Sequence, residues 1–253
     1  AAKKPSGIFT NIGCTEEGNL KVSLEVAAAS EHKFGFNDSI GKTTKVVIWD
    51  KIGAYPAWPG NGVVTVESSQ AADTSIAITV TGLSPAGEEI SEIVVTDAIN
   101  GTAPVAGVTV FSCIYRAYVS GGSAPTGFIS IDRATVEVAR IQVGFGQTQM
   151  CRWVVPTIID GVTYSGCWMK EINFNVGSSD KANVFLTALT PTDVMPRVKR
   201  YYGNVQGLVL ERFTNGGTIA GIFFPAGTVI SIEAIALNTA AEVSASFLIG
   251  MES

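Results

Sequence analysis

The short motif Gly41-Lys42-Thr43 has the residues that end a phosphate-binding P-loop. A complete P-loop needs a glycine with four residues between it and Gly41, and that position holds Phe36. The motif must also open a helix whose N-terminus holds the phosphate, whereas residues 45–49 have the pattern of a strand. We therefore expect a turn before a strand here.

Acid–base and nucleophilic chemistry has few candidates. His32 is the only histidine, and its neighbours Glu31 and Lys33 predict a solvated, charged turn. The chain contains no Gly-x-Ser-x-Gly elbow, and a nucleophile needs a recognisable activating partner. The sequence therefore predicts a protein that is not an enzyme, and it gives no reason to expect a cofactor.

The four cysteines are Cys14, Cys113, Cys151 and Cys167. None of them forms a Cys-x-x-Cys pair, so the spacing does not predict a zinc site, and no metal is expected. An even count permits two disulfides in three connectivities. In a chain this long and apolar, four free buried thiols are the favoured interpretation.

Carboxylates could support catalysis or calcium binding if they faced each other across a groove. The candidates are Glu88, Glu89, Glu92, Asp73, Asp97 and Asp132. Glu88 and Glu89 follow Pro85-Ala86-Gly87, so we expect them at a hairpin exit, where like charges point to water and protect a strand edge. Catalysis and calcium binding remain the alternatives, although no Asp-x-Asp-x-Asp loop supports calcium.

Trp49, Tyr55 and Trp58 form the most distinctive local group, on one strand and the loop that follows it. Packing at the end of a sandwich core is the first interpretation. A contact with a protein partner is the second, because aromatic side chains anchor interfaces. A stacking platform for a glycan is the third.

The elements that must position these residues are β-strands. Apolar and polar residues alternate with the period of a half-buried strand in residues 20–26, 76–81, 129–131, 136–138 and 243–249. Clusters rich in Gly, Asn, Pro and Ser separate these runs, and Asn100-Gly101 and Asn215-Gly216 suit hairpin turns. The pattern predicts an all-β protein with two β-sandwich or jelly-roll-like units and an N-terminal arm.

The expected division has three parts. Residues 1–45 form an arm with one or two strands, residues 46–145 a first sandwich, and residues 146–253 a second. Residues 219–237 are apolar enough to suggest a membrane span, but a turn signal at Pro225-Ala226-Gly227 predicts two strands instead. No apolar signal-peptide core follows the first five residues, so neither secretion nor membrane insertion is expected.

Charged residues make up 15% of the chain, with 22 acidic and 17 basic side chains. This acidic balance argues against nucleic-acid binding. The one basic cluster, Arg197-Val198-Lys199-Arg200, predicts a solvated loop or a rim contact. Low charge in a hydrophobic chain favours association, so we expect a homo-oligomer, with a trimer as the first expectation.

A succession of short motifs in residues 45–250 resembles a family of virion structural proteins from short-tailed marine and freshwater bacteriophages. The matching residues are Trp49, Gly53 and Tyr55; Val66-Glu67-Ser68-Ser69 with Ala72-Asp73-Thr74; Val80-Thr81-Gly82-Leu83 with Gly87 and Glu92; Asn100-Gly101-Thr102 with Pro104-Val105; Arg116-Ala117-Tyr118-Val119; Gly146-Gln147-Thr148 with Val155-Pro156; Pro225-Ala226-Gly227-Thr228; and Val243-Ser244-Ala245-Ser246-Phe247. The chain departs from the family at residues 97–99 and throughout the arm, which is a natural place for an attachment site.

The resemblance implies a structural role and no catalytic residues. It implies a virion protein assembled in the bacterial host cytoplasm, with itself and the major capsid protein or tail proteins as partners. A capsid decoration or cement protein is the leading hypothesis. A tail, adaptor or fibre component is the first alternative, and a carbohydrate-binding spike that uses Trp49, Tyr55 and Trp58 is the second.

Overall fold

The computed structural model describes residues 8–14, 20–25, 30–51, 54–215, 218–219, 221–238 and 240–252. Every regular element in these ranges is a strand, and none is a helix. The predicted all-β fold class is therefore confirmed. The strands are β1 (Ile8–Cys14), β2 (Leu20–Glu25), β3 (Ser30–Ile40), β4 (Val46–Val47), β5 (Val64–Ser68), β6 (Ala77–Leu83), β7 (Glu89–Val95), β8 (Val105–Ala106), β9 (Cys113–Gly121), β10 (Ile129–Arg133), β11 (Val136–Ile141), β12 (Arg152–Val154), β13 (Ile158–Ile159), β14 (Val162–Thr163), β15 (Gly166–Val176), β16 (Ala182–Leu189), β17 (Arg197–Val205), β18 (Gly207–Arg212), β19 (Thr214–Asn215), β20 (Thr218–Ile219), β21 (Ile222–Pro225), β22 (Val229–Ala236) and β23 (Ala241–Glu252).

The longest strands form a sandwich of two antiparallel sheets. The front sheet has the order β18-β15-β23-β3, and β21 extends it along β15. The back sheet has the order β12-β22-β16-β17, and β4 also pairs with β22. The chain crosses between the two sheets at most of its connections, although β16 and β17 are neighbours in the back sheet, and the resulting strand order is that of a jelly roll. We call this unit the jelly-roll sandwich.

A second sandwich is inserted into the first, between β4 and β12. Its sheets have the orders β11-β10-β5-β8 and β7-β6-β9. Its core consists mainly of Val and Ile side chains with Phe111, and Ile78, Ile129 and Ile131 are fully buried. We call this unit the inserted sandwich.

Strand pairing corrects the expected boundaries of the arm and of the first sandwich. β3 pairs along its length with β23, from Ser30 opposite Gly250 to Ile40 opposite Ala241. Residues 30–45 thus belong largely to the jelly-roll sandwich, although the alternation pattern assigned them to an arm. The chain leaves the inserted sandwich only after Thr148, whose backbone N–H donates to Ala117. Alternation identifies a strand but carries no information about a partner 200 residues away.

Two local predictions are confirmed. The apolar stretch near the C-terminus consists of β21, a turn at Ala226-Gly227 and β22, and no helix in the described ranges could cross a membrane. The strand predicted at residues 243–249 is part of β23, and its alternating members Val243, Ala245, Phe247 and Ile249 are buried.

The two Asn-Gly turns have different outcomes. β19 and β20 pair with Asn215 opposite Thr218, as a two-residue hairpin connection requires. At Asn100-Gly101 the chain does turn, because Ala103 N–H donates to the Asn100 carbonyl at 2.8 Å. However, the strands on either side, β7 and β8, lie in different sheets. This turn therefore crosses between sheets, and the predicted hairpin is wrong.

Candidate functional site

The P-loop-like motif lies in an exposed turn that leads into β4. No helix follows it, so no helix N-terminus faces a phosphate. The prediction of a turn before a strand is confirmed.

His32 lies in strand β3, opposite Leu248, and its ring centroid is 6.2 Å from that of Phe34. The predicted charged turn is therefore wrong. In a strand, neighbouring side chains point to opposite faces, so His32 is exposed while Lys33 is only 5% exposed.

The buried Lys33 side chain joins the two sandwiches. Its Nζ lies 3.0 Å from Glu31 Oε2 and 4.6 Å from the ring centroid of Tyr115, which belongs to the inserted sandwich. Tyr115 also donates its hydroxyl hydrogen bond to Glu89. Burial lowers the pKa of Lys33, and the neighbouring Glu31 carboxylate opposes that effect. Because these groups pair with one another, they form a structural contact between the sandwiches.

Asp73 is a buried carboxylate with a full set of donors. Its two oxygens accept hydrogen bonds from the Ser68 hydroxyl at 2.6 Å, the Thr126 hydroxyl at 2.7 Å, and the Thr126 and Gly127 N–H groups, each at 2.8 Å. Burial alone would raise the pKa of Asp73, but these bonds outweigh it and lower the pKa to about 2. Asp73 therefore joins its own loop to the loop at Thr126 and Gly127 by hydrogen bonds within the inserted sandwich.

Three other carboxylate candidates also have local structural partners. Asp97 accepts from the Ile99 and Asn100 N–H groups, Glu92 from the Val108 and Thr109 N–H groups, and Asp132 from the Ser130 hydroxyl. Glu88 is exposed beside the edge strand β7, as predicted, whereas Glu89 is half-buried and accepts the hydrogen bond from Tyr115, so the prediction that both charges point to water is wrong for Glu89. Across the described ranges, no three His, Cys, Asp or Glu side chains form a group that could hold a metal ion.

The structure describes the side chains of three of the four cysteines, and all three are free thiols. Cys151 and Cys167 are fully buried, and Cys113 is partly buried. Burial raises the pKa of the Cys167 thiol to about 12 and that of Cys113 to about 11, so neither is a thiolate at neutral pH. The side chain of Cys14 lies outside the described part of the structure.

The aromatic group is brought together mainly by packing. Trp49 is 2% exposed, and its ring centroid lies 5.1 Å from that of Tyr55 in an edge-to-face contact. Tyr55 donates its hydroxyl hydrogen bond to Val138 in the inserted sandwich at 3.0 Å. Trp58 packs against the core of the inserted sandwich. Burial leaves Trp49 no open face for a glycan, whereas a partner contact through Tyr55 or Trp58 stays a prediction.

The best candidate for a partner contact is a surface that the sequence did not single out. Val194, Met195, Val198 and Tyr201 are 96%, 73%, 50% and 57% exposed. They lie on β17 and the turn before it, and we call them the β17 patch. β17 is the outer strand of the back sheet and pairs on one side with β16. Large apolar groups beside an open strand edge are typical of an interaction surface.

Charged groups surround the apolar members of this patch. Arg197 pairs with Asp193 at 2.7 Å, and Arg200 lies 3.9 Å from Glu211. The basic cluster therefore lies on a strand, and the predicted loop is wrong, while its role as a rim contact stays a prediction. In the sequence, the patch could have been recognised from the apolar pair Val194-Met195, which lies in a segment rich in Pro, Thr and Asp. This segment has no strand-like alternation that would predict burial of the two side chains.

No family model and no curated protein matches the chain. A structure of the infectious bursal disease virus Gt strain aligns at 11% identity over 96% of this chain and 84% of that chain, with a TM-score of 0.14. The VP2 subviral particle of the same virus aligns at 10% identity over 89% and 80%, with a TM-score of 0.12. TM-scores this low do not establish a shared fold.

Proposed function

We propose that this chain is a structural protein of a bacteriophage virion and that it decorates the assembled head. It acts by binding: it associates with other copies of this chain and contacts neighbouring capsid subunits. Binding only to the assembled shell stabilises that shell by mass action. No reaction is part of the proposal.

The β17 patch is the observation that supports this proposal best. A side chain such as Val194, with 96% of its surface exposed, gains stability only when a partner covers it. Four such side chains beside an unpaired strand edge favour a contact with another protein. The jelly-roll order of the two large sheets is also an architecture that viral capsid domains use.

Copy number in purified particles tests the proposal. Quantitative mass spectrometry of virions from the phage that encodes the chain should give hundreds of copies for a decoration protein. Six or twelve copies would instead support the alternative of a tail or adaptor component. Absence of the chain from purified particles would overturn the virion proposal as a whole.

A further inference from the structure

The outer face of the front sheet carries a groove that the proposed function does not use. Cross-strand pairing sets two parallel rows of outward residues, Phe36–Ser244–Asn175–Leu208 and Phe34–Ser246–Asn173–Leu210. In each row, short polar residues occupy the two central strands, and large apolar residues occupy the two outer strands. Because Ser and Asn are shorter than Phe and Leu, the centre of the face is lower than its sides.

The floor of this groove consists of unused polar groups. Asn173, Asn175, Ser244 and Ser246 line one continuous depression of 420 Å³. Within the described residues, none of these four side chains takes part in a hydrogen bond. Two amides and two hydroxyls are therefore open to a ligand, with both donors and acceptors among them.

The sides of the groove are apolar and accessible. Phe34 and Phe36 form one side, and Phe145 of the inserted sandwich, which is 47% exposed, lies 6.0 Å from Phe36 between ring centroids. Leu208, which is 70% exposed, forms the other side. Flat aromatic rings beside hydrogen-bonding groups suit a ligand that has both an apolar face and a polar edge.

A smaller pocket of 240 Å³ continues the groove past Phe36 and Phe145, and Asp50 lines it. Asp50 Oδ2 accepts a hydrogen bond from Gln149 N–H at 2.8 Å, while the buried Oδ1 has no hydrogen-bond partner in the described chain. Burial raises the pKa of Asp50 to about 8, and the bond from Gln149 opposes this. At neutral pH the Asp50 carboxyl is mostly protonated, whereas the exposed Asp38 adds a second carboxyl group to the lining of this pocket.

We infer that this groove binds a neutral oligosaccharide. The hydroxyls of a sugar chain would satisfy Asn173, Asn175, Ser244 and Ser246, and the C–H faces of its rings would cover Phe34, Phe36 and Phe145. An apolar protein surface fits less well. It would bury the two asparagine amides without partners, at a cost of about 1–3 kcal/mol for each unsatisfied group. The four floor residues are uncharged and give no attraction to an anionic polymer, although His32 also lines the depression.

Calorimetry with maltohexaose, cellohexaose, chitohexaose and mannohexaose tests this inference on the full chain. We expect at least one of the four to bind. The double variant Asn173→Ala/Asn175→Ala should weaken that binding about tenfold or more, because two hydrogen bonds are lost. Asn238→Ala changes an exposed asparagine outside the groove and should bind as the wild type does.

Three outcomes would overturn the inference: binding of none of the four sugars at millimolar concentration, binding that the double variant leaves unchanged, or a double variant that changes the oligomeric mass. The last outcome would make the groove an interface between copies of the chain. Should the double variant fail to fold, Phe145→Ala tests the same groove from an exposed loop position. None of these results depends on the copy number in virions, so this inference and the proposed function can fail separately.

Discussion

Asp73 shows how a single buried residue couples the fold to pH. Its four hydrogen bonds favour the ionised form, so its pKa is about 2 in the folded chain and near 3.8 in the unfolded chain. Ionised Asp73 therefore stabilises the fold above about pH 4, and this contribution is lost as the pH falls from about 4 to 2. The shift corresponds to about 2 kcal/mol.

We expect Asp73→Asn to lower the free energy of unfolding by about 2 kcal/mol at pH 7. The asparagine would place an NH₂ group, itself a donor, against N–H and O–H donors that now bond to a carboxylate oxygen. Urea unfolding of both proteins at pH 7, 4 and 2 measures the effect. The difference between them should shrink towards pH 2. A difference that stays constant over this range would contradict the assigned role of the carboxylate.

At the scale of elements, a close approach of three strands depends on Gly35. A Cβ at this position would lie 2.5 Å from Cys151 N and 2.6 Å from Ile48 O, and both contacts are backbone atoms that cannot move independently. We expect Gly35→Ala to destabilise the jelly-roll sandwich by about 2 kcal/mol or more, through strain in a well-packed core. Thermal and urea unfolding provide the measurement.

Gly41→Ala is the matched control for this change. A Cβ at Gly41 meets nothing within 4 Å, and the residue lies in an exposed turn. The free energy of unfolding of the Gly41→Ala variant should differ from that of the wild type by no more than about 0.5 kcal/mol. Equal effects at the two glycines would contradict the close approach of β3 to Ile48 and Cys151.

The elements also show where prediction from sequence succeeds. β23 could be predicted because Val243, Ala245, Phe247 and Ile249 occupy every second position, with serines at two of the positions between them, and this face is buried. β3 was missed because Glu31, His32 and Lys33 are all polar, although only one face of the strand meets water. A buried lysine next to aromatic rings contradicts the ordinary pattern, and only its tertiary partners Tyr115 and Trp153 explain it.

At the scale of the whole molecule, the sheet topology predicts that the residues before β3 can be removed without loss of the fold, whereas β3 cannot. β1 and β2 form a two-stranded sheet of their own, whereas β3 is part of the front sheet. Deletion of residues 1–29 should leave a chain that unfolds cooperatively with nearly unchanged stability. Deletion of residues 1–45 should remove β3 and prevent folding of the jelly-roll sandwich, which circular dichroism and solubility would detect. A folded, soluble product of the longer deletion would contradict the topology.

Self-association is the second property of the whole molecule that can be tested. Val198→Asp/Tyr201→Asp places two charges in the β17 patch, and we expect it to convert an oligomer into monomers, because a buried unpaired charge is costly. Val162→Asp changes a residue of similar exposure, 47%, on another strand and should keep the wild-type mass. Analytical ultracentrifugation measures all three proteins. A wild type that is already monomeric at micromolar concentration would contradict the expectation of an oligomer.

The sequence by itself determined the fold class and several strands, because strand periodicity is local and is visible in consecutive residues. It also determined that Gly41-Lys42-Thr43 is a turn before a strand. Only the tertiary structure decided that β3 pairs with β23. It also decided that Trp49 is buried and that Phe34, Asn173 and Leu210 meet in or beside one groove. These properties depend on partners distant in the chain, and the register between distant strands leaves no mark on either strand alone.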